Sequence, residues 1–362
     1  METQVNSNFT NGEKIFIGID IHKTNWKVTV LGEHISYNTF SQDPDPDTLY
    51  KYLSKHFPQA EYYSAYEAGF SGFWAHDRLK ELGIKSVVVN PADVPTTDKE
   101  KRQKEDIRDS RKIARSLRAG ELKAIRIPSK KNREDRLLLR NRKNIQKDLQ
   151  RNKNRIKGLL YFSGIDYPDR FHQTNTHWSK AFMQWLESIQ MNEPSGHDAL
   201  QALIDSSRYL RQQLLDITRK IKALSKTDIY ADNVKFLCSI SGIGTITAMS
   251  FLTELEKIEY YKRLDKLCGY IGFVPSTNSS SDKERIGDIT PRGKKYLRSL
   301  LIESSWIAVR NDAVLRNKYN ELCGRMKPNK AIIRIAKKLT NRIRYVLLNQ
   351  KEYKVLTYDK TR

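Results

Sequence analysis

The sequence predicts an α/β domain followed by an all-α region, and three observations carry that expectation. Apolar, β-branched runs alternate with helical stretches through the first third of the chain; two later stretches keep apolar residues at heptad spacing; the last third joins short helices by glycine-punctuated turns. The expected boundaries are 14–127 for the sheet domain, 128–227 for a coiled-coil helical arm with a polar insertion, 228–350 for a mainly helical domain, and 351–362 for a tail.

From Lys14, the runs KIFIGIDIH, WKVTVLG and HISYNTF read as three strands separated by short polar turns, an antiparallel meander. A helix through LYKYLSKHF, a strand in AEYYSAYEAG, a helix in FWAHDRLKELG, a strand in KSVVVNP and a helix in KEDIRDSRKIARSLRAGEL follow. The order β-β-β-α-β-α-β-α, with an acid on the first strand, predicts a ribonuclease-H-like sheet with helices packed on it.

Beyond residue 132, Leu138, Ile145, Leu149, Ile156 and Leu160 alternate spacings of seven and four. Such a narrow apolar seam predicts a coiled-coil helix with a basic outer face. After a polar, Trp-containing stretch, a second run, Leu203, Leu210, Leu214, Ile217, Ile221 and Leu224, again keeps heptad spacing, so the two helices pair either with each other or with another subunit. From residue 228 a helical domain begins, and it closes in the basic amphipathic helix KAIIRIAKKLTNRIRYVLL.

Composition narrows the partners. Lys and Arg number 65 against 42 Asp and Glu, a formal charge of +23 spread along the whole chain. That excess favours a polyanion, because neutralising phosphates releases counterions; an anionic membrane surface is the other polyanion that fits. Cys238, Cys268 and Cys323 are odd in number and widely spaced, so neither a disulfide framework nor a zinc site is expected. No run approaches the ~18 apolar residues of a membrane span, and the N-terminus has no apolar signal core, so the expected location is the cytoplasm, without a membrane partner.

Four acids form the leading candidate site. Asp20 ends the first strand and Glu67 the fourth, placing both near one sheet edge; Asp106 and Asp109 lie three apart on one helix and share a face. Converging carboxylates repel unless a hard cation such as Mg²⁺ or Mn²⁺ holds them, and such an ion suits phosphodiester chemistry. Taken singly, each acid reads more simply as a solvated residue, with Asp106 and Asp109 paired to Lys104, Arg108 or Lys112. The set reads as a site because Asp20 lies in an otherwise apolar strand, where an unpaired charge is costly.

Two further segments are candidates. Ser239-Ile240-Ser241-Gly242-Ile243-Gly244 resembles a helix-hairpin-helix turn whose backbone N–H groups, opened by Gly242 and Gly244, cradle a DNA phosphate; a plain tight turn fits the spacing equally. The run STNSSS, followed by Arg285, Arg292, Lys294, Lys295 and Arg298, offers a serine nucleophile beside cations that stabilise a phosphoryl transition state. On composition alone it is a flexible polar loop.

Together these residues resemble a family: bacterial insertion-sequence transposases with an N-terminal RuvC-like DEDD domain and a C-terminal serine domain, related to the Piv invertases. Gly18-Ile19-Asp20 resembles the family's opening strand, and Glu67-Ala68-Gly69 its E-A-T/S-G motif. Lys104 to Ser110 resembles K-T-D-x-x-D-A, with Glu105 in place of Thr and Ser110 in place of Ala. Ser239 to Gly244 resembles S-I-P-G-I-G, and Gly272 to Pro275 resembles G-L-x-P. Ile289 to Arg298 resembles I-T-K-x-G-x-x-x-L-R.

The resemblance implies Asp20, Glu67, Asp106 and Asp109 as Mg²⁺ (or Mn²⁺) ligands and Ser280 as the nucleophile, with Ser279 the alternative, since Ser281 stands where the family has glycine. It also implies donor and target double-stranded DNA, a structured non-coding bridge RNA, a homo-oligomer (dimer or tetramer) and a bacterial, nucleoid-associated location. Two rival functions stay open: a metal-dependent nuclease or junction resolvase without serine catalysis, and a non-catalytic nucleic-acid binder.

Overall fold

The computed structural model describes residues 12–95, 106–280, 283–290 and 292–354; within these, the side chains at 106–108, 276–280 and 283–288 lie outside the described set. Two compact units divide the chain, Met1–Ile127 and Pro128–Arg362. The arm expected at 128–227 therefore shares one unit with the helical domain after it.

The first unit is a five-stranded sheet with helices. β1 (Lys14–Ile21), β2 (Trp26–Leu31) and β3 (Ser36–Gln42) form the expected antiparallel meander, while β4 (Glu61–Glu67) and β5 (Lys85–Val89) add parallel to β1, giving the order β3-β2-β1-β4-β5. Helices α1 (Pro46–His56) and α2 (Trp74–Glu81) form the crossovers, and α3 (Asp106–Arg118) packs against β1, β2 and β4. Asp45 starts α1 by accepting from the Asp47 and Thr48 amides, with Pro46 at the first helical position.

Alternation on β1 sets the layers. Ile15, Ile17 and Ile19 are fully buried with Leu49, Leu53, Phe57 and Leu79, so one face of the central strand belongs to the core under α1 and α2. The opposite face carries Gly18 and Asp20. A Cβ on Gly18 would lie 2.1 Å from the Ser110 carbonyl oxygen and 2.5 Å from the Ala114 nitrogen, so only glycine lets α3 approach this closely.

The second unit is helical with one hairpin. The long helices α4 (Lys130–Phe162) and α6 (Pro194–Leu224) pair with each other within the chain, which answers the choice the heptads left open for this pairing. Ser129 caps α4 by accepting from the Asn132 amide. Leu149, Ile156 and Leu160 are buried on α4 and Ile217 and Ile221 on α6, whereas mid-seam Asn152 donates to the Leu203 carbonyl and the Ser207 hydroxyl. The polar insertion has its own small core, built on Phe171, Ile189 and the helix α5 (Lys180–Glu187).

Among the described residues six further α-helices follow: α7 (Ala231–Cys238), α8 (Thr245–Leu255), α9 (Leu264–Ile271), α10 (Lys295–Asn311), α11 (Ala313–Cys323) and α12 (Pro328–Asn349). Leu139 of the arm is buried in their core beside Ile221, Phe251 and Leu339, which is why arm and domain form one unit.

One expectation fails here. The serine run is no loop: β6 (Pro275–Ser280) and β7 (Lys283–Ile289) form an antiparallel hairpin in which Ser280 pairs with Lys283. Polar residues dominate both strands, so the hydrophobic alternation that marks a strand in sequence is missing, and the constraint comes from the hairpin base. There Gly272 (φ +93°) and Gly293 (φ +103°) lie back to back, and Arg298 donates to the Gly272 and Thr290 carbonyls at 3.0 and 2.9 Å.

Candidate active site

The carboxylates come together because of the strand register and the glycine beneath α3. β1 and β4 run parallel with Ile19 opposite Tyr66, so Asp20 and Glu67 lie one residue further on, at the same C-terminal edge. Asp20 shares its face with Gly18 by the two-residue period, and that face meets α3. Asp109 stands one residue before Ser110, the residue that α3 seats over Gly18; Ser110 is buried and its hydroxyl bonds that of Thr29 at 2.9 Å. Three of the four expected acids thus share one neighbourhood. Asp106 begins α3, but its side chain lies outside the described residues.

Electrostatics agree with the geometry. Burial pushes the Glu67 carboxyl above the usual carboxylate range; Lys112 draws it back down, and the charges of Asp109 and Asp20 push it up further. The Lys112 ammonium sits 3.7 Å from Glu67 and 3.3 Å from Asp109, and the His22 ring nitrogen is 3.0 Å from Asp20. Lys112, weighed from sequence only as a surface partner of Asp109, bridges two of the acids.

Among the described residues no three acidic, His or Cys side chains are grouped tightly enough to hold a metal as they stand. The donor chemistry nevertheless fits a divalent cation: oxygen ligands that raise one another's proton affinity, partly exposed, with a lysine ammonium occupying the position of positive charge.

In the second unit the expected nucleic-acid contacts separate into two groups. Gly242 (φ +88°) is packed: a Cβ there would lie 2.2 Å from the Ser304 carbonyl oxygen, so its backbone abuts α10. Gly244 has open space around it and caps the N-terminus of α8. Arg298 bonds the hairpin base, whereas Arg292 and Lys295 are exposed. The side chains of Ser279, Ser280 and Arg285 lie outside the described residues.

Lys294 belongs to a cluster that sequence reading missed. Its ammonium lies 3.8 Å from the buried carboxylate of Glu254, which also receives Arg140 at 2.8 Å and faces Arg136 at 3.8 Å. Burial pulls the Lys294 ammonium below its ordinary range; Glu254 opposes that shift, and Arg140 and Arg136 add to it. The signal was available: Glu254 is the one charge in the helix TITAMSFLTEL, as Asp20 is the acid in its apolar strand.

Comparison with known proteins follows this division. Residues 17–163, from β1 to the end of α4, match the DEDD transposase domain model of the IS110 group. Residues 234–320 match the transposase model of the IS116/IS110/IS902 family. The chain is 25% identical to the protein y4rJ of Sinorhizobium fredii over 90% of this chain and 89% of that one. It is 27% identical to y4qE of the same organism, over 67% of this chain and 58% of that protein. With the transposase of insertion sequence element IS1533 from Leptospira borgpetersenii it shares 24% identity, covering 67% and 70% of the two chains. Neither matched family is one of serine recombinases, and among the described residues no helix is long and apolar enough to cross a membrane. With a DEDD domain on its N-terminal side and the second family match on its C-terminal side, this chain belongs to the IS110/IS116 family of insertion-sequence transposases, enzymes that cut and rejoin DNA.

Proposed function

We propose that the chain moves its insertion sequence by cutting and rejoining double-stranded donor and target DNA with two chemical groups, the carboxylate set of the first unit and the hydroxyl of Ser280 in the second. The observation that carries this reading is the convergence of Asp20, Glu67 and Asp109 at one sheet edge, seated by Gly18 under α3. Asp106 is the fourth member. Bound there by these four carboxylates, Mg²⁺ or Mn²⁺ supplies Lewis-acid polarisation of a phosphate oxygen. Glu67, whose carboxyl burial pushes above its ordinary range, and Lys112 set the proton and charge balance of these carboxylates.

Support for Ser280 is the motif around it, bounded by Gly272-Phe273-Val274-Pro275 and by Ile289 to Arg298, and its place near the tip of a hairpin whose base is pinned by Arg298. In the step, Ser280 Oγ gives up its proton and bonds to phosphorus; the P–O bond to the departing strand breaks and that oxygen takes a proton. Rejoining reverses this with a hydroxyl from the receiving strand. The exposed cations Arg292 and Lys295, with Arg285 and the open backbone at Gly244, are assigned to the DNA backbone, while Gly242, Lys294 and Arg298 are engaged by the protein's own groups. The charge of +23 also suits a structured guide RNA, and two or more copies acting together in a bacterial nucleoid complete the reading.

End-labelled DNA carrying the element's ends, incubated with protein, Mg²⁺ and the co-purifying RNA, tests it. Wild-type protein forms an adduct that survives denaturation, Ser280→Ala forms none, and Asp20→Asn slows both adduct and cleavage by roughly a hundredfold or more. Cleavage that persists in Ser280→Ala removes the serine step and leaves the metal-dependent nuclease reading. An adduct in Ser280→Ala that disappears in Ser279→Ala moves the nucleophile by one residue.

A further inference from the structure

The insertion between α4 and α6 holds a feature that the cutting and rejoining chemistry leaves unused. Together with those two helices it lines a half-open cavity of about 850 Å³. The volume falls in the range of roughly 300–1,000 Å³ typical of small-molecule sites. One side of the lining is apolar, with Leu149, Met183, Leu214 and Leu215; Trp178 contributes a part-exposed indole.

The rest of the lining is basic. Lys153, Lys180, Arg208 and Arg211 face a single lining carboxylate, Glu187, and that one is ion-paired with Arg208. Among the described residues Lys153, Lys180 and Arg211 have no carboxylate partner. The Lys153 ammonium lies 4.9 Å from the centre of the Trp178 ring. Burial holds it below its ordinary range, and the charges of Arg211 and Lys157 add to that shift. A cavity with three uncompensated cations favours an anion, and an aromatic face beside aliphatic walls favours a flat apolar ring.

Trp178 is also held in an unusual way. Its backbone is left-handed (φ +67°), a conformation that costs a non-glycine residue energy and persists only where its surroundings impose it. Phe182 meets its ring edge-on at 5.2 Å, and Phe182 is itself fully buried between Phe171 and Trp185. The indole is therefore fixed in place before any ligand arrives.

We propose that this cavity is a nucleotide pocket, in which an unpaired base of a DNA or RNA strand lies against Trp178 and the leucine wall while Lys153, Lys180 and Arg211 hold the adjoining phosphates. A duplex cannot present a base this way, so the pocket selects a strand that is open or flipped. A free phosphate would leave the apolar wall without a partner. The inference rests on the chain's acting on nucleic acid but needs neither the carboxylates nor Ser280.

The test measures binding of the full-length chain to fluorescent oligothymidine, oligouridine, an abasic strand of equal length and a duplex. Lys180→Ala/Arg211→Ala, two exposed positions, weakens single-strand binding by roughly tenfold and lowers its salt dependence. Trp178→Ala weakens it by about five- to a hundredfold, Trp178→Phe restores most of that, and duplex affinity changes less than about twofold in each. The tighter of oligothymidine and oligouridine identifies the strand. Equal losses on duplex and single strand, or an abasic strand bound as tightly as an intact one, overturn the pocket. Wild-type protein that binds duplex and no single strand overturns the pocket alone; one that binds neither overturns the functional reading with it.

Discussion

In the first unit one lysine, Lys112, stands among three acids, Asp20, Glu67 and Asp109; in the second unit one acid, Glu254, stands among three cations, Arg136, Arg140 and Lys294. The two clusters are near inverses in charge, and burial separates their roles. The Glu254 side chain is 8% exposed, whereas those of Glu67 and Asp109 are 32% and 42% exposed. In the closed cluster the single anion is engaged on all sides by the protein's own cations and acts as a fastener, here between α4, α8 and the segment that follows the hairpin. An open cluster leaves a charge imbalance facing solvent, which is what a site for an ion or substrate requires. A perturbed carboxylate, Glu67, marks one and a perturbed lysine, Lys294, the other, so perturbation alone does not locate the chemistry.

Glu254→Gln breaks this comparison most severely. Removing the single anion leaves the buried Arg136 guanidinium without its countercharge, with an expected loss of about 3–5 kcal/mol in urea denaturation. A loss below 1 kcal/mol in that measurement would show that the cluster does not fasten the unit.

Gly18→Ala comes next. Its Cβ meets backbone atoms of α3, which cannot rotate away as a side chain could, so the helix must shift, at an expected cost of about 1–3 kcal/mol. Because α3 carries Asp106 and Asp109, DNA cleavage in the folded fraction should fall more steeply than stability. Full activity in a Gly18→Ala protein of lowered Tm would detach the site from this contact.

The smallest effect has the opposite sign. The folded-state pKa of Glu67 is raised, so the contribution of this group to stability is fully present below its ordinary carboxylate range and is lost as pH rises through the raised value. At pH 8 the ionised group costs stability, and Glu67→Gln should be the more stable protein there by under ~1 kcal/mol, with the gap closing near pH 4. The same variant should be inactive. Denaturation at the two pH values, repeated with Mg²⁺, checks the sign: the cation should stabilise wild type and leave Glu67→Gln nearly unchanged.

Much of the first unit was legible because its signals are local. Apolar, β-branched runs mark β1, β2 and β5; the Asp45-Pro46 pair opens α1; an acid at the end of an apolar strand singles out Asp20. The hairpin bearing Ser280 was read as a loop because its strands carry no apolar face, and the Glu254 cluster was missed because its cations stand more than a hundred residues before it and forty after it. Gly242 and Gly244 look alike in sequence, yet only Gly242 is pressed against another helix.

By itself the sequence determined the order of elements in the first unit, the four candidate acids and candidate serine that its motifs single out, and the basic character that favours a polyanion. Those properties depend on residue type and short-range spacing. Tertiary structure alone decided that α4 and α6 pair within the chain and that Lys112 bridges Glu67 and Asp109. It also decided that Lys294 and Arg298 bond to the protein's own groups, and that Trp178 lines one cavity with three cations that have no carboxylate partner among the described residues. Each of these depends on which distant backbones approach one another, and that is settled by packing at places such as Gly18 and Gly242, where a single Cβ would forbid the contact.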